Sequence, residues 1–260
     1  MRLQLENKVI VITGGAKGIG AAIARAAAEE AAIPVVIDRD CEAGRKIEQE
    51  LIAGGVRSTW IEAELSDTES CRHAVETITE KHGGIDALVN NAGVNDRVGL
   101  EQGSPRDYRL SLEKNLLHYF DMAHFCLPYL KKTRGAIVNI ASKTAITGQG
   151  GTSGYASAKG AVLALTREWA VELLPYGIRV NAIVPAEVMT PLYRQWLSSF
   201  PNPEEKLKTI ISKIPLGGRM TEPEEIANVA IFLLSEKAAH ITGQHWYVDG
   251  GYVHLDRAIT

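Results

Sequence analysis

The chain has 260 residues, 45% of them hydrophobic and 23% charged, which is enough to bury the core of one large α/β domain. A net charge of −3 and a pI near 6.2, with Lys and Arg scattered rather than striped, argue against nucleic acid or an anionic membrane as a partner. There is no run of 18 apolar residues and no signal-peptide pattern, Cys41, Cys71 and Cys126 form no CxxC pair, and the seven His show no HExxH-like spacing, so a cytoplasmic chain with inert thiols and no metal centre is expected.

The run at 8–13 (KVIVIT) is short, β-branched and apolar, as a central parallel strand requires, and it stops at glycine. TGGAKGIG at 13–20 then opens an Ala-rich helix, and a second strand, PVVID, follows. In this order of strand, glycine turn, helix and strand, free N–H groups at the helix start favour a pyrophosphate, which makes Gly14, Lys17, Gly18, Ile19 and Gly20 candidate ligand contacts. Their spacing is G-x-x-x-G-x-G rather than the common G-x-G-x-x-G, and a tight connection alone would use the same glycines. Asp38 ends the second strand about 20 residues on, where a carboxylate accepts hydrogen bonds from an adenosine ribose and repels a 2′-phosphate. That points to NAD. Lys17 and Arg39 pull towards NADP, but a buried like-charge contact costs more than a surface cation gains.

The periodicity predicts a helix over 41–53, then a third strand over 56–65 (VRSTWIEAEL) that ends at Glu64 and Leu65, and a helix capped by Ser66/Asp67 that runs to about His82. A fourth strand at 85–90 (IDALVN) enters Asn90-Asn91-Ala92-Gly93, whose amides and small residues suit close backbone approach. Residues 104–132 read as largely helical, with Asn115 inside an otherwise apolar face, where an amide is disfavoured unless it has a partner. Leu116, Tyr119, Phe120, Phe125, Trp169 and Leu173 are more large apolar side chains than a sheet face need bury, which predicts a subunit interface.

The stretch at 142–159, SKTAITGQGGTSGYASAK, offers a hydroxyl, a phenol and an amine to one reacting atom. Ser142 closes a fifth strand, GAIVNIAS, and Gly148, Gly150, Gly151 and Gly154 let the chain turn back. Tyr155 and Lys159 are four apart on one helix face, so the ammonium is expected to depress the phenol; a shift of about three units, roughly 4 kcal/mol, would make Tyr155 a general base near neutral pH. A Tyr-x-x-x-Lys pair alone is weak evidence, and the nucleotide site in the same chain changes the odds. A sixth strand, IRVNAIV, breaks at Pro185-Ala186, and the mixed segment around 187–215 is expected to form a lid, although its aromatics would serve a core equally well. A last helix capped by Thr221 and a strand, HWYV, precede Asp249-Gly250-Gly251.

TGGAKGIG, NNAG, Asn115, Ser142, Tyr155-x-x-x-Lys159 and PAEVMTP (185–191), in this order and over nearly the full chain, resemble the short-chain dehydrogenase/reductase family. Within it, NNAGVND, SKTAITGQG, TREWAVEL, VPAEVMTPLYRQW and the tail DGGYVHLDRA are similar to bacterial L-fucose dehydrogenases. The resemblance implies an α/β fold, a single Rossmann-like domain over 1–260 with a seven-stranded parallel sheet and helices on both faces, assembled as a homotetramer. It implies a catalytic tetrad of Asn115, Ser142, Tyr155 and Lys159, and NAD or NADP held by the residues of the glycine turn, Asp38, Arg39, Glu64, Leu65, Asn91, Ala92, Gly93, Tyr155, Lys159, Pro185, Val188 and Thr190. Glu64 stands where the family usually has Asp, and Ala186 where Gly usually follows Pro, which lengthens the side chain near the adenine and puts a methyl near the nicotinamide.

The expected reaction is oxidation of the C1 hydroxyl of an aldose, L-fucose foremost, to its lactone; the alternative is a 3-oxoacyl carrier-protein reductase or another alcohol dehydrogenase of the same family. The first alternative calls for a basic landing patch for an acidic partner, and a steroid or retinoid dehydrogenase calls for an apolar pocket. Asn95, Asp96, Ser142, Lys143, Gln149, Tyr155 and Glu187 make instead a polar substrate set, with Met189 and Trp196 offered to a C6 methyl.

Overall fold

A computed structural model of the protein describes residues 2–255; Asp256, Arg257 and Ala258 of the quoted tail lie outside them. Strands β1 (Val9–Thr13), β2 (Ile33–Asp38), β3 (Thr59–Glu62), β4 (Ala87–Asn90), β5 (Ala136–Ile140), β6 (Arg179–Pro185) and β7 (His245–Val248) form one parallel sheet in the order β3-β2-β1-β4-β5-β6-β7. The side chains of β1 alternate between two cores. Val9 and Val11 face α3 (Thr68–His82), α5 (His118–Thr133) and α6 (Ser153–Glu172), whereas Ile10 and Ile12 face α1 (Gly18–Glu29), α2 (Cys41–Ala53) and α9 (Pro223–Leu234). Burial on both faces is why the strands read as unbroken apolar runs. The strand order reverses between β1 and β4, and their carboxyl ends part there to leave a crevice. No helix among the described residues is long and apolar enough to cross a membrane.

Three expectations are corrected. The third strand keeps only Thr59–Glu62 of the stretch over 56–65, because its partner β2 ends at Asp38, opposite Glu62. Residues 104–132 are largely helical as expected, with α4 (Pro105–Leu112) passing through a π-helical turn at Glu113–Leu117 before α5 begins. Thr221 does not cap α9. It pairs with Val188 as an isolated bridge, and Glu222 takes the cap, its N–H donating to Glu225 at 2.9 Å. Of the residues assigned to an interface, Tyr119, Trp169 and Leu173 are buried in the chain's own core and Leu116 and Phe125 pack against it, while Phe120 is exposed beside Leu117.

A buried polar ladder ties α6 to the sheet. Asn90 and Asn139 are register partners on β4 and β5, and Asn90 Nδ2 donates to Asn139 Oδ1 at 3.1 Å. Asn139 Nδ2 in turn donates to Thr166 Oγ1 at 3.0 Å, in the middle of α6. Each amide would be costly to bury unpaired, so the ladder fixes the height at which α6 crosses β5.

Candidate active site

The carboxyl ends of the central strands surround a cleft of about 510 Å³. Its floor is the turn after β1, where Gly14 has a φ of +60°, and a Cβ there would stand 2.8 Å from Ala92 Cα. A Cβ on Gly20 would stand 2.3 Å from Gly14 O, so only glycine lets α1 start this close to the turn. α1 begins with neither a side-chain cap nor an acid in its first turn, leaving its first N–H groups unclaimed by a side chain and its positive end towards the cleft. Asn91 braces the turn from the other side, donating through Nδ2 to Thr13 O at 2.9 Å and Gly14 O at 3.0 Å.

Asp38 stands at the cleft wall with one carboxylate oxygen on Ala16 N at 3.1 Å and the other on Asp40 N at 3.0 Å. Both cations expected to compete with it are occupied: Lys17 pairs with Asp40 at 2.5 Å and Arg39 with Glu64 at 3.0 Å. Glu64 also accepts from Ser66 Oγ at 2.9 Å, so its carboxylate is engaged on the rim. Every cofactor contact expected from the sequence lines the cleft except Gly20, which packs beneath Gly14. An adenosine ribose, a pyrophosphate and a nicotinamide fit this run of donors and acceptors.

At the inner end, Ser142 follows β5 and Tyr155 sits in the first turn of α6. Ser142 Oγ accepts from Thr144 Oγ1 at 3.1 Å and from Thr144 N at 3.3 Å, which directs its own proton to the Tyr155 oxygen. Lys159 does not reach the phenol as expected. Its Nζ donates to Tyr119 Oη and to Ile140 O, each at 2.8 Å, and lies 5.7 Å from the Tyr155 ring centroid. Burial pushes the Tyr155 phenol up to about 12 against the Ser142 hydrogen bond, the reverse of the predicted depression. Burial also pushes Lys159 down to about 7. Asn115, in the π-helical turn, is fully buried and engaged at both ends, with Oδ1 accepting from Val94 N at 2.7 Å and Nδ2 donating to Ser111 O at 3.0 Å. The amide therefore pins the loop after β4.

Beside Ser142, Lys143 and Glu187 form an ion pair with side chains only 8% and 14% exposed. The Tyr193 phenol hydrogen-bonds Glu187, and the Lys143 ammonium lies 4.2 Å over the Tyr252 ring. Asn95 and Tyr193 line the cleft. The other substrate candidates stand outside its lining: Lys143 and Glu187 lie behind Ser142 and Ala186, Asp96 accepts from Ser111 Oγ at 2.9 Å, Gln149 is exposed on its loop, and Met189 is half-buried with its N–H on Thr221 O. Trp196 is packed edge-on between Tyr193 and Phe200, at 5.0 and 4.9 Å.

A family model described as enoyl-(acyl carrier protein) reductase matches residues 14–253. The chain belongs to the short-chain dehydrogenase/reductase family. It is thus an oxidoreductase acting on alcohol or carbonyl groups. This short-chain dehydrogenase/reductase is 36% identical to L-fucose dehydrogenase of Bos taurus, over 96% of its own length and 91% of that protein. It is also 36% identical to the 3-oxoacyl-acyl-carrier-protein reductase FabG of Thermotoga maritima, over 96% of its length and 100% of that protein. Among solved structures it is similar to the Cj0485 dehydrogenase, with 52% identity, a TM-score of 0.94 and coverage of 99% of this chain and 98% of that one. It is similar as well to L-sorbose reductase of Gluconobacter frateurii, complexed with NADPH and L-sorbose, with 28% identity, a TM-score of 0.93 and coverage of 98% and 100%. L-fucose dehydrogenases match at 36–38% identity and the acyl reductase at 36%, too near one another to select a substrate.

Sequence reasoning missed Tyr193, His118 and the inward role of Tyr119. For His118 a signal was present, a second polar residue three positions after Asn115 on the same apolar face. Its imidazole is 2% exposed, with Nε2 at 3.1 Å from Lys114 O, which assigns the proton to Nε2. Burial pushes its pKa from 6.5 down to about 4. The unfolded chain therefore binds an extra proton between these values, and stability falls as pH drops from 6.5 towards 4. His118→Gln keeps a donor for Lys114 O but does not titrate, so it should flatten the fall of Tm across this window in thermal melts. An unchanged slope would place the acid sensitivity elsewhere.

Proposed function

We propose that this oxidoreductase converts the C1 hydroxyl of an aldose, L-fucose foremost, to the lactone with NAD, within a single domain over 1–260 whose lid is the segment around 187–215. The observation that carries the sugar reading is the buried Lys143–Glu187 pair, with Tyr193 on it, beside Ser142. Two charges kept out of water next to a cleft are expensive, and a polyol supplies the hydroxyls that satisfy them. A carboxylate accepts from two vicinal hydroxyls and an ammonium donates to a third oxygen. A 3-oxoacyl chain would instead need an apolar groove at this position.

A nicotinamide cofactor held by the glycine turn, Asp38 and the inner cleft would supply the acceptor for the hydride lost from C1. Ser142 holds the reacting oxygen, Tyr155 removes its proton, Lys159 supplies positive charge behind the phenol and a donor for a ribose hydroxyl, and Asn115 holds the wall formed by Val94. Because burial holds the phenol near 12 and lowers Lys159 to about 7, the form with both phenolate and ammonium climbs about tenfold per pH unit up to roughly 7 and levels off above it, so initial rates of oxidation should quicken towards pH 7 and flatten from there to about 9.

Initial rates and product analysis over a panel of aldoses test this reading: L-fucose should give its lactone, sugars sharing its ring stereochemistry should react more slowly, Tyr155→Phe should lose at least about 100-fold in kcat, and Glu187→Ala should lose more than a surface contact would because Lys143 is left buried and unpaired. Brisk reduction of a 3-oxoacyl thioester with no aldose oxidation would sink the sugar reading.

NAD is favoured over NADP because Asp38 faces the ribose position while Lys17 and Arg39 are already paired. Asp38→Ala should shift the ratio of kcat/KM for the two cofactors towards NADP by about tenfold, the equivalent of roughly 1.4 kcal/mol. A wild-type preference for NADP would show that the cations outweigh the carboxylate.

A homotetramer is supported by the apolar surface left exposed on the α4–α5 and α6 side, namely Leu117, Phe120, Val171 and Leu174. Light scattering at micromolar concentration should give four chains per particle; a monomeric mass excludes it.

A further inference from the structure

Tyr119 is fully buried near the start of α5, and its phenol is held between two partners of different kind. Its hydroxyl donates to Ile140 O at 2.8 Å and accepts from Lys159 Nζ at 2.8 Å. Its main-chain carbonyl accepts from Asn90 Nδ2 at 3.3 Å, so the residue is tied at both ends. A phenol has one proton, and Ile140 O has only lone pairs to meet it. That proton is therefore committed to the carbonyl, and the side of Tyr119 that faces Nζ is a lone pair.

Lys159 must donate across this contact. Two donor positions of its ammonium go to Tyr119 and Ile140, and the third is left for the cleft that Lys159 lines. The other groups facing Nζ are the Tyr155 ring at 5.7 Å, the neutral His118 imidazole, and the Gly93–Asn115 corner, where a Cβ on Gly93 would lie 3.4 Å from Nζ and 2.9 Å from Asn115 Oδ1. None of these is an anion.

We propose that Tyr119 is the positioning residue of this active site, holding the Lys159 ammonium charged and aimed at the cleft by accepting a hydrogen bond that it cannot return. The proposal rests on the role given to Lys159 above. It assigns to one hydroxyl a task that packing of the ring alone would not perform, since Phe would fill the same space.

Tyr119→Phe tests it. The Lys159 titration is read by NMR on protein labelled with 13C at lysine Cε, with the signal assigned by its loss in Lys159→Met. Removing the acceptor should lower the Lys159 pKa by about one unit or more, because a hydrogen bond to the charged form favours that form. It should also reduce kcat for the oxidation about tenfold with the sugar KM nearly unchanged. Ser58→Ala removes a buried hydroxyl at the β3 edge of the sheet, where it donates to Pro34 O at 3.0 Å, and should leave the Lys159 titration in place. If Tyr119→Phe does not fold, Tyr119→Leu, which also lacks the acceptor, gives the same reading. A folded variant with an unmoved Lys159 titration would overturn the proposal and leave Tyr119 as core. Turnover retained in Lys159→Met would instead overturn the role of Lys159, whatever the titration shows.

Discussion

The carbonyl of Ile140, at the end of β5, is buried where the sheet meets α5 and α6, and it must find donors there. It takes one from each helix, the Tyr119 hydroxyl and the Lys159 ammonium. Because both donors are side chains on separate helices, satisfying one main-chain oxygen sets the rotation of both. Tyr155 lies one turn before Lys159 and Ser142 two residues beyond Ile140, so the reacting phenol and hydroxyl inherit their separation from this junction. The Asn90–Asn139–Thr166 ladder secures the same helix further along, and together the two contacts leave α6 little freedom to slide or roll.

Charge at the cleft is arranged by depth. On the rim, Lys17 and Arg39 are drawn onto Asp40 and Glu64, exposed pairs that contribute little to stability but engage both cations beside Asp38 with other carboxylates. Deeper, Lys143 is matched by Glu187 in a pair that water barely reaches. Deepest, Lys159 is held by neutral oxygens, which is why burial lowers its proton affinity instead of an anion raising it. The Tyr155 phenol is penalised in the same way and in the opposite direction. The two groups are thus poised unfavourably for charge separation in the free protein, and added positive charge at the cleft would favour the phenolate.

Much of the fold was legible because a parallel sheet covered on both faces writes itself as short β-branched runs separated by helical periods, and because the glycine turn admits no Cβ at Gly14 or Gly20. The residues expected to hold a cofactor lie at strand ends and one helix start; the glycine turn, Asp38 and Arg39 follow from that local pattern, and the others from the family resemblance. Less legible were the π-helical turn at Glu113–Leu117, which carries no periodicity of its own, and the exchange of roles between Thr221 and Glu222, which depends on the pairing of Thr221 with the distant Val188.

Residue type and spacing alone determined which groups this protein brings to its chemistry: a hydroxyl, a phenol and an amine after one strand, a carboxylate after another, and a helix start free of side-chain caps. Tertiary structure decided what those groups do at rest. Tyr155 and Lys159 share a helix face by their spacing, yet the ammonium goes to Tyr119 and Ile140, because those acceptors come from another helix and a strand end that no local pattern records. Lys143 and Glu187 are 44 positions apart and meet only once β5 and β6 are side by side. Side-chain direction along one element is a property of its backbone, whereas burial and the partner that relieves it belong to the packing of several.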